Sequence, residues 1–185
     1  MFHKFFYFGA WLCLFFLLNT QSLNAQNLDT QSLYFMPKEQ EKAFHHLINI
    51  LKNSKNHLDI AIYSFTNREI AKAIRDTAKR GTKVRIIYDK STNEKSQNST
   101  IGYLAKLNNI EVCLLQGKAS KNQKYFGLMH TKMAISDNYL VIGSANWSKS
   151  AFETNYETLF ITQDSNLITK AKEEFNAMFK ECEKY

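Results

Sequence analysis

Apolar positions along this chain change period several times. A short run from Leu33 to Phe35 predicts a strand ahead of Pro37, and Phe44, Leu47, Ile48 and Leu51 then mark one face of a helix. The stretch His57 to Phe65 reads as a buried strand. A helix follows from about Asn67, with Ile70, Ala71, Ile74 and Ala78 turned inward and Gly81 as its C-terminal cap. Lys83 to Tyr88 predicts a strand, Ile101 to Leu107 a short helix, and Glu111 to Leu115 another strand. Leu128 to Ser136 and Tyr139 to Ser144 read as strands joined by the tight-turn pair Asp137-Asn138. A helix near Ser148 to Glu153, a strand from Glu157 to Thr162 and an amphipathic helix from Ser165 to Glu183 complete the series.

The βαβαβ order of the first half predicts an α/β class: a mixed, mostly parallel central sheet flanked by helices. The polar stretches Asp89 to Thr100 and Gln116 to Phe126 read as surface loops. No repeat or linker divides the chain, so residues 26–185 are expected to form one domain.

Residues 1–25 belong to a different composition. Lys4 precedes an apolar run from Phe5 to Leu18 and a polar, small-residue exit at Leu23-Asn24-Ala25, the order of a secretory signal peptide. The apolar run is short for a membrane span. Export with cleavage near Ala25 is the expectation, with an uncleaved N-terminal anchor as the alternative because Leu23 is large for a cleavage site; Cys13 reads as filler within the leader. Eight of the 25 aromatic residues fall in the first 16 positions, so aromatic residues are concentrated in the leader. The full chain carries a formal charge of +7 over 185 residues. Without the leader, which contains one lysine and no acid, +6 remains on 160 residues. Cys113 and Cys182 would then sit where disulfides persist, although Cys182 also shares a helical face with Ile168, Ala171, Phe175, Met178 and Phe179 and reads as a core residue; sequence alone leaves the pairing open.

The chemistry concentrates in MHTKMAISDNYLVIGSANWS. His130 and Lys132, two apart on a predicted strand, leave the same face, so that an imidazole stands beside an ammonium. That pair suits a phosphate: one group attacks phosphorus while the other neutralises charge on the oxygens. Ser144 and Asn146 offer a hydroxyl and an amide to the same anion, with Gly143 permitting close backbone approach.

The pattern His130, Lys132, Asp137, followed by Gly143-Ser144-x-Asn146, resembles the HxKxxxxD and GSxN motifs of the phospholipase D superfamily. Over its mature length the chain is similar to that superfamily's small single-motif bacterial endonucleases, which are exported or membrane-associated. The resemblance extends to Ser148-x-x-Ala151 and Asn155-Tyr156-Glu157, where those nucleases carry a helix and then an acid near the histidine. It implies a covalent phosphohistidine on His130, with the second histidine supplied by another copy of the chain in a homodimer, since this sequence holds a single motif. It also implies that Lys132, Asn146 and Ser144 hold non-bridging oxygens and that Glu157 accepts from the far nitrogen of His130. Asp137 joins the site set through the motif, but its place at a turn points to a structural or supporting role.

No cofactor or metal follows from this scheme, because His45 and His46 are adjacent on a helix and cannot face one way. The basic charge suits DNA, single- or double-stranded, with RNA as a further substrate. Lys118, Lys121 and Lys124 beside Tyr125 and Phe126 are candidates to track a phosphate backbone and stack bases, a preference for single strands; a merely solvated loop is the plain alternative. Lys79, Arg80, Lys83 and Arg85 add charge without a unique reading. The competing functions are a phospholipase D or phosphatidyl transferase acting on lipid, and an inactive nucleic-acid binder. Membrane association would arise through the N-terminal segment.

Overall fold

The computed structural model describes Met1 and residues 31–185; apart from Met1, the expected leader lies outside the described residues. In chain order the elements are β1 (Gln31–Met36), α1 (Gln40–Asn53), β2 (His57–Ile62), α2 (Arg68–Lys79), β3 (Lys83–Asp89), α3 (Lys90–Asn93), α4 (Ile101–Leu104), β4 (Ile110–Leu115), β5 (Lys132–Ile135), β6 (Leu140–Gly143), α5 (Lys149–Glu153), β7 (Glu157–Thr162), α6 (Ser165–Glu181) and β8 (Glu183–Lys184). The strands form one sheet in the order β1-β7-β6-β5-β2-β3-β4-β8. None of the helices among the described residues is long and apolar enough to cross a membrane.

The open mixed sheet flanked by helices agrees with the expected class, but its balance differs. Only β2–β3 and β3–β4 are parallel; the other five pairings are antiparallel. The helical crossovers α2 and α4 return the chain to the same end of the sheet and make the parallel unit. After β4 an exposed hairpin, residues 117–127, brings the chain back as β5 antiparallel to β2, and β6 and β7 follow as a meander.

Alternation within the central strands divides the core in two. Leu58, Ile60 and Ile62 of β2 face α1 and α2, whereas Ala61 faces α6 with Ile87, Met133, Ile168 and Phe175. Helix α2 begins where Asn67 accepts from the Glu69 and Ile70 N–H groups at 2.9 and 3.2 Å. It ends at Gly81, whose φ of 101° lies in the left-handed region expected of the cap.

Helix α6 stops two residues short of the expected Glu183. Cys182 is bonded to Cys113, with their Cα atoms 5.7 Å apart, and β8 then pairs with β4. Two of the cations that the sequence leaves without a unique reading find one here, and one loop expectation needs correction. Arg85 forms a two-pronged pair with buried Asp59, both contacts at 2.7 Å, and lies over Phe175 and Phe179 beneath α6; Arg80 binds carbonyls at the ends of α1 and α2, Lys52 and Asp76. These cations are therefore committed to the fold. The stretch 89–100 is likewise no plain surface loop, because Asp89, Asn93 and Thr100 are buried and hydrogen-bonded.

Candidate active site

Strand β5 begins at Lys132, four residues later than expected, for a local reason. The Met129 N–H is taken by the Asp89 carboxylate at 2.9 Å instead of by a neighbouring strand, and sheet-like pairing resumes only where the Tyr63 N–H donates to the Thr131 carbonyl at 2.9 Å. His130 therefore stands just outside the sheet, exposed, while Lys132 is 7% exposed. The continuation of β2 changes partners here. Beyond Tyr63 it bonds to the Trp147 segment, with Trp147 N–H donating to the Ser64 carbonyl at 3.1 Å and Thr66 and Asn67 donating to the Trp147 carbonyl at 2.9 Å. Residues 63–67 thus tie the histidine–lysine segment to the Gly143–Asn146 turn.

The Lys132 ammonium donates to the His130 carbonyl at 2.8 Å and lies 4.8 Å from the centre of the Tyr63 ring. Burial pushes its pKa down, and the carboxylates of Glu157 and Asp89 push back. Among the described residues no hydrogen bond holds the His130 ring; its aromatic neighbour is Tyr63, with ring centres 4.4 Å apart. The Asn146 Oδ1 atom is buried without a hydrogen-bond partner. An exposed imidazole and a buried cation thus meet at one end of the sheet, a pair suited to an anion, whereas the unpaired Asn146 oxygen is an acceptor and calls for a donor.

Other site expectations change. Glu157 does not bond to His130; its carboxylate accepts from the Ser144 hydroxyl at 2.5 Å, and Ser144 Oγ accepts in turn from the Thr158 N–H at 2.9 Å. Ser144 is thereby engaged in positioning the acid. Gly143 gives room to strand β7 and not to a ligand, since a Cβ there would collide with the Thr158 carbonyl. Asp137 lies beyond the opposite end of β5, away from His130. It accepts from the backbone N–H groups of Lys55 (2.7 Å), Asn56 and His57 (3.3 Å), and faces the His57 ring. Although burial alone would raise its pKa, these donors hold it below the usual carboxylate range. It is a structural staple, as its turn position suggests.

Lys118, Lys121, Lys124 and Tyr125 are all exposed on the hairpin between β4 and β5. Its base is the close backbone approach of Gly117 and Gly127, and Tyr125 is 68% exposed near its tip. Ser148 caps α5 through the Ala151 N–H. His46 bonds to the Tyr34 hydroxyl at 2.9 Å, and burial lowers its pKa; among the described residues no group of three or more His, Cys, Asp or Glu is placed to hold a metal. Sequence reading missed Tyr63, Asp89 and Asn93. Their signal was position, since each lies at or beyond the carboxyl end of β2 or β3, where open α/β sheets build their sites.

The sequence pattern of the family described as cardiolipin synthase, PLD-like domain, matches residues 47–179, an interval that takes in both halves of this site. The chain belongs to the phospholipase D-like family. Among its relatives in that family, mitochondrial cardiolipin hydrolase of Xenopus tropicalis is 30% identical over 142 residues, covering 76% of this chain; the chain spans only 63% of that relative's length. NucT from Helicobacter pylori has the same fold with a TM-score of 0.82 and 47% identity, the match covering 84% of this chain and 98% of NucT. A phospholipase D family member, Nuc from Salmonella typhimurium, superposes with a TM-score of 0.70 over 84% of this chain and 97% of its own; at 23% identity that likeness shows the fold.

Proposed function

We propose that this phospholipase D-like chain is a phosphodiesterase that hydrolyses nucleic acid, DNA first and RNA as a further substrate, through a phosphohistidine on His130. The observation that carries the reading is an exposed, unbonded His130 imidazole whose main-chain carbonyl accepts from the ammonium of buried Lys132, both side chains lying against the Tyr63 ring. A His130 ring nitrogen attacks phosphorus and the P–O bond to the leaving sugar breaks; the departing oxygen takes a proton from a second imidazole. Water then attacks the phosphohistidine, giving its proton to that second imidazole and releasing His130. Lys132 and Asn146 hold the non-bridging oxygens. Glu157, fixed by Ser144, keeps a negative charge near Lys132 that favours its ammonium form.

The second imidazole is the His130 of another copy of this chain. One motif supplies one histidine, and the sheet offers a face for the partner. Ile142, Phe160 and Leu33 lie in one cross-strand row over β6, β7 and β1, with Phe35 beside them, on the side away from α1. Leu33, Phe35 and Ile142 are 52%, 54% and 38% exposed; α6 packs chiefly on β2, β4, β5 and β6, where it covers Leu140 and leaves Ile142 open. An exposed apolar patch of this kind suits a two-fold interface.

The likeness to NucT and the basic arm bearing Lys118, Lys121, Lys124 and Tyr125 support nucleic acid as substrate. The Cys113–Cys182 bond supports export, with membrane association through the N-terminal segment as its variant. The second reading, hydrolysis of a lipid phosphodiester, is favoured by the cardiolipin hydrolase relatives. Incubation of the protein in EDTA with labelled single-stranded DNA, duplex DNA and cardiolipin vesicles separates the two. DNA cleavage lost in His130→Ala is expected; lipid turnover without DNA cleavage transfers the assignment to lipid, and cleavage that persists in His130→Ala removes His130 as nucleophile.

A further inference from the structure

We propose that Tyr63 is the positioning residue of this site, setting the orientation of His130 and Lys132 at once. The inference rests on the phosphodiesterase reading, but its physical basis is separate. The imidazole of His130 is exposed and no protein hydrogen bond among the described residues fixes its ring. Left alone, a solvent-facing histidine samples several rotamers, and a nucleophile needs one. The Tyr63 ring supplies a wall: its centre is 4.4 Å from that of His130, with the planes inclined by 54°. Its face also meets the Lys132 ammonium at 4.8 Å, a cation–π contact in a desolvated place. One aromatic ring therefore touches both members of the pair.

A wall is useful only if it is held. The Tyr63 N–H donates to the Thr131 carbonyl, the peptide between His130 and Lys132, at 2.9 Å. Its carbonyl accepts from Asn93 Nδ2 at 2.7 Å, and Asn93 is buried and bonded also to the Asp89 carbonyl at 2.9 Å. Asp89 in turn holds the Met129 N–H, one residue before the histidine. The turn after β3 thus grips both the wall and the strand that it faces. The Tyr63 hydroxyl takes no part in these contacts, so the ring and not the phenol is the working element.

The first test needs neither a variant nor turnover. The side-chain protons of His130, assigned by comparison with His130→Ala, should be displaced upfield by the Tyr63 ring current. Absence of that displacement in the wild type overturns the proposal. The second test uses Tyr63→Phe, Tyr63→Leu and Tyr63→Met. Phe should keep the upfield displacement and leave kcat within about twofold. Leu and Met should lose the displacement and about 10- to 100-fold in kcat, with KM changed much less, the scale of loss that a misplaced reacting group produces. Wild-type kcat in a folded Tyr63→Leu or Tyr63→Met protein overturns the positioning role while leaving the proposed reaction intact. A wild-type protein that cleaves no phosphodiester refutes the reaction, and the ring-current measurement still decides the contact.

Discussion

The Ser144 hydroxyl donates to the Glu157 carboxylate at 2.5 Å, and this bond separates two roles that the sequence assigns to one anion site. Glu157 acts on Lys132 through its charge, opposing the downward push of burial. In Glu157→Gln that opposition disappears, the Lys132 pKa falls further, and the alkaline limb of the kcat/KM profile moves to lower pH. Ser144→Ala leaves the charge in place and should leave the limb where it is. A coincident alkaline limb in Glu157→Gln and wild type would show that Lys132 does not govern it.

Asp137 should matter to stability and little to chemistry. Its folded pKa is depressed, so its contribution is fully present above the unfolded value of about 3.8 and disappears as pH falls through the folded value. Asp137→Ala, which strands three backbone N–H groups, should cost about 1–3 kcal/mol in urea unfolding at neutral pH. Activity per folded molecule should stay near wild type; a catalytic collapse with an unchanged unfolding midpoint would return Asp137 to the active site.

The Cys113–Cys182 bond closes a sequence separation of 69 residues. Chain entropy assigns such a loop about 4 kcal/mol. Cys182→Ser, or reduction, should therefore lower the urea midpoint markedly and release β8 from β4, which amide exchange at Tyr185 would report through the loss of its bond to the Val112 carbonyl. Protection at Tyr185 that is unchanged after reduction would show that β8 holds without the bond.

The hairpin lysines bear on the proposed substrate. Replacing Lys118, Lys121 and Lys124 by alanine should weaken binding of single-stranded DNA and reduce the slope of log affinity against log salt, by about 0.7 for each lysine that meets a phosphate. A salt slope equal to wild type would make the arm a solvated loop.

Legibility from sequence followed the range of the forces involved. Periodicity marked every major element, and Asn67 and Gly81 marked the ends of α2 because caps are local. Partnerships across the sheet were hidden. Nothing near Glu157 in sequence announces that Ser144 will take its carboxylate, and nothing near Arg85 announces the buried Asp59. The parallel unit and the β5–β6 hairpin are legible in the sequence, but β1 on β7, β2 beside β5 and β4 beside β8 join segments far apart in the chain, which local pattern does not encode. His130 and Lys132 both lie against the Tyr63 ring, a meeting that their two-residue spacing allows. Tyr63 and Asp89 escaped notice because their value lies in contacts to a segment roughly 40 to 70 residues further on, and Asn93 because it binds the Tyr63 carbonyl, 30 residues earlier.

Gly143 has a bearing on how mutational data for this protein would be read. A side chain at that position pushes β7 off β6, and with it the Thr158 and Glu157 end of the strand. In a saturation library scored by activity, position 143 would tolerate glycine alone and would look like a substrate contact. Its intolerance would instead measure the separation of two strands, and an abundance screen run beside the activity screen would tell the difference.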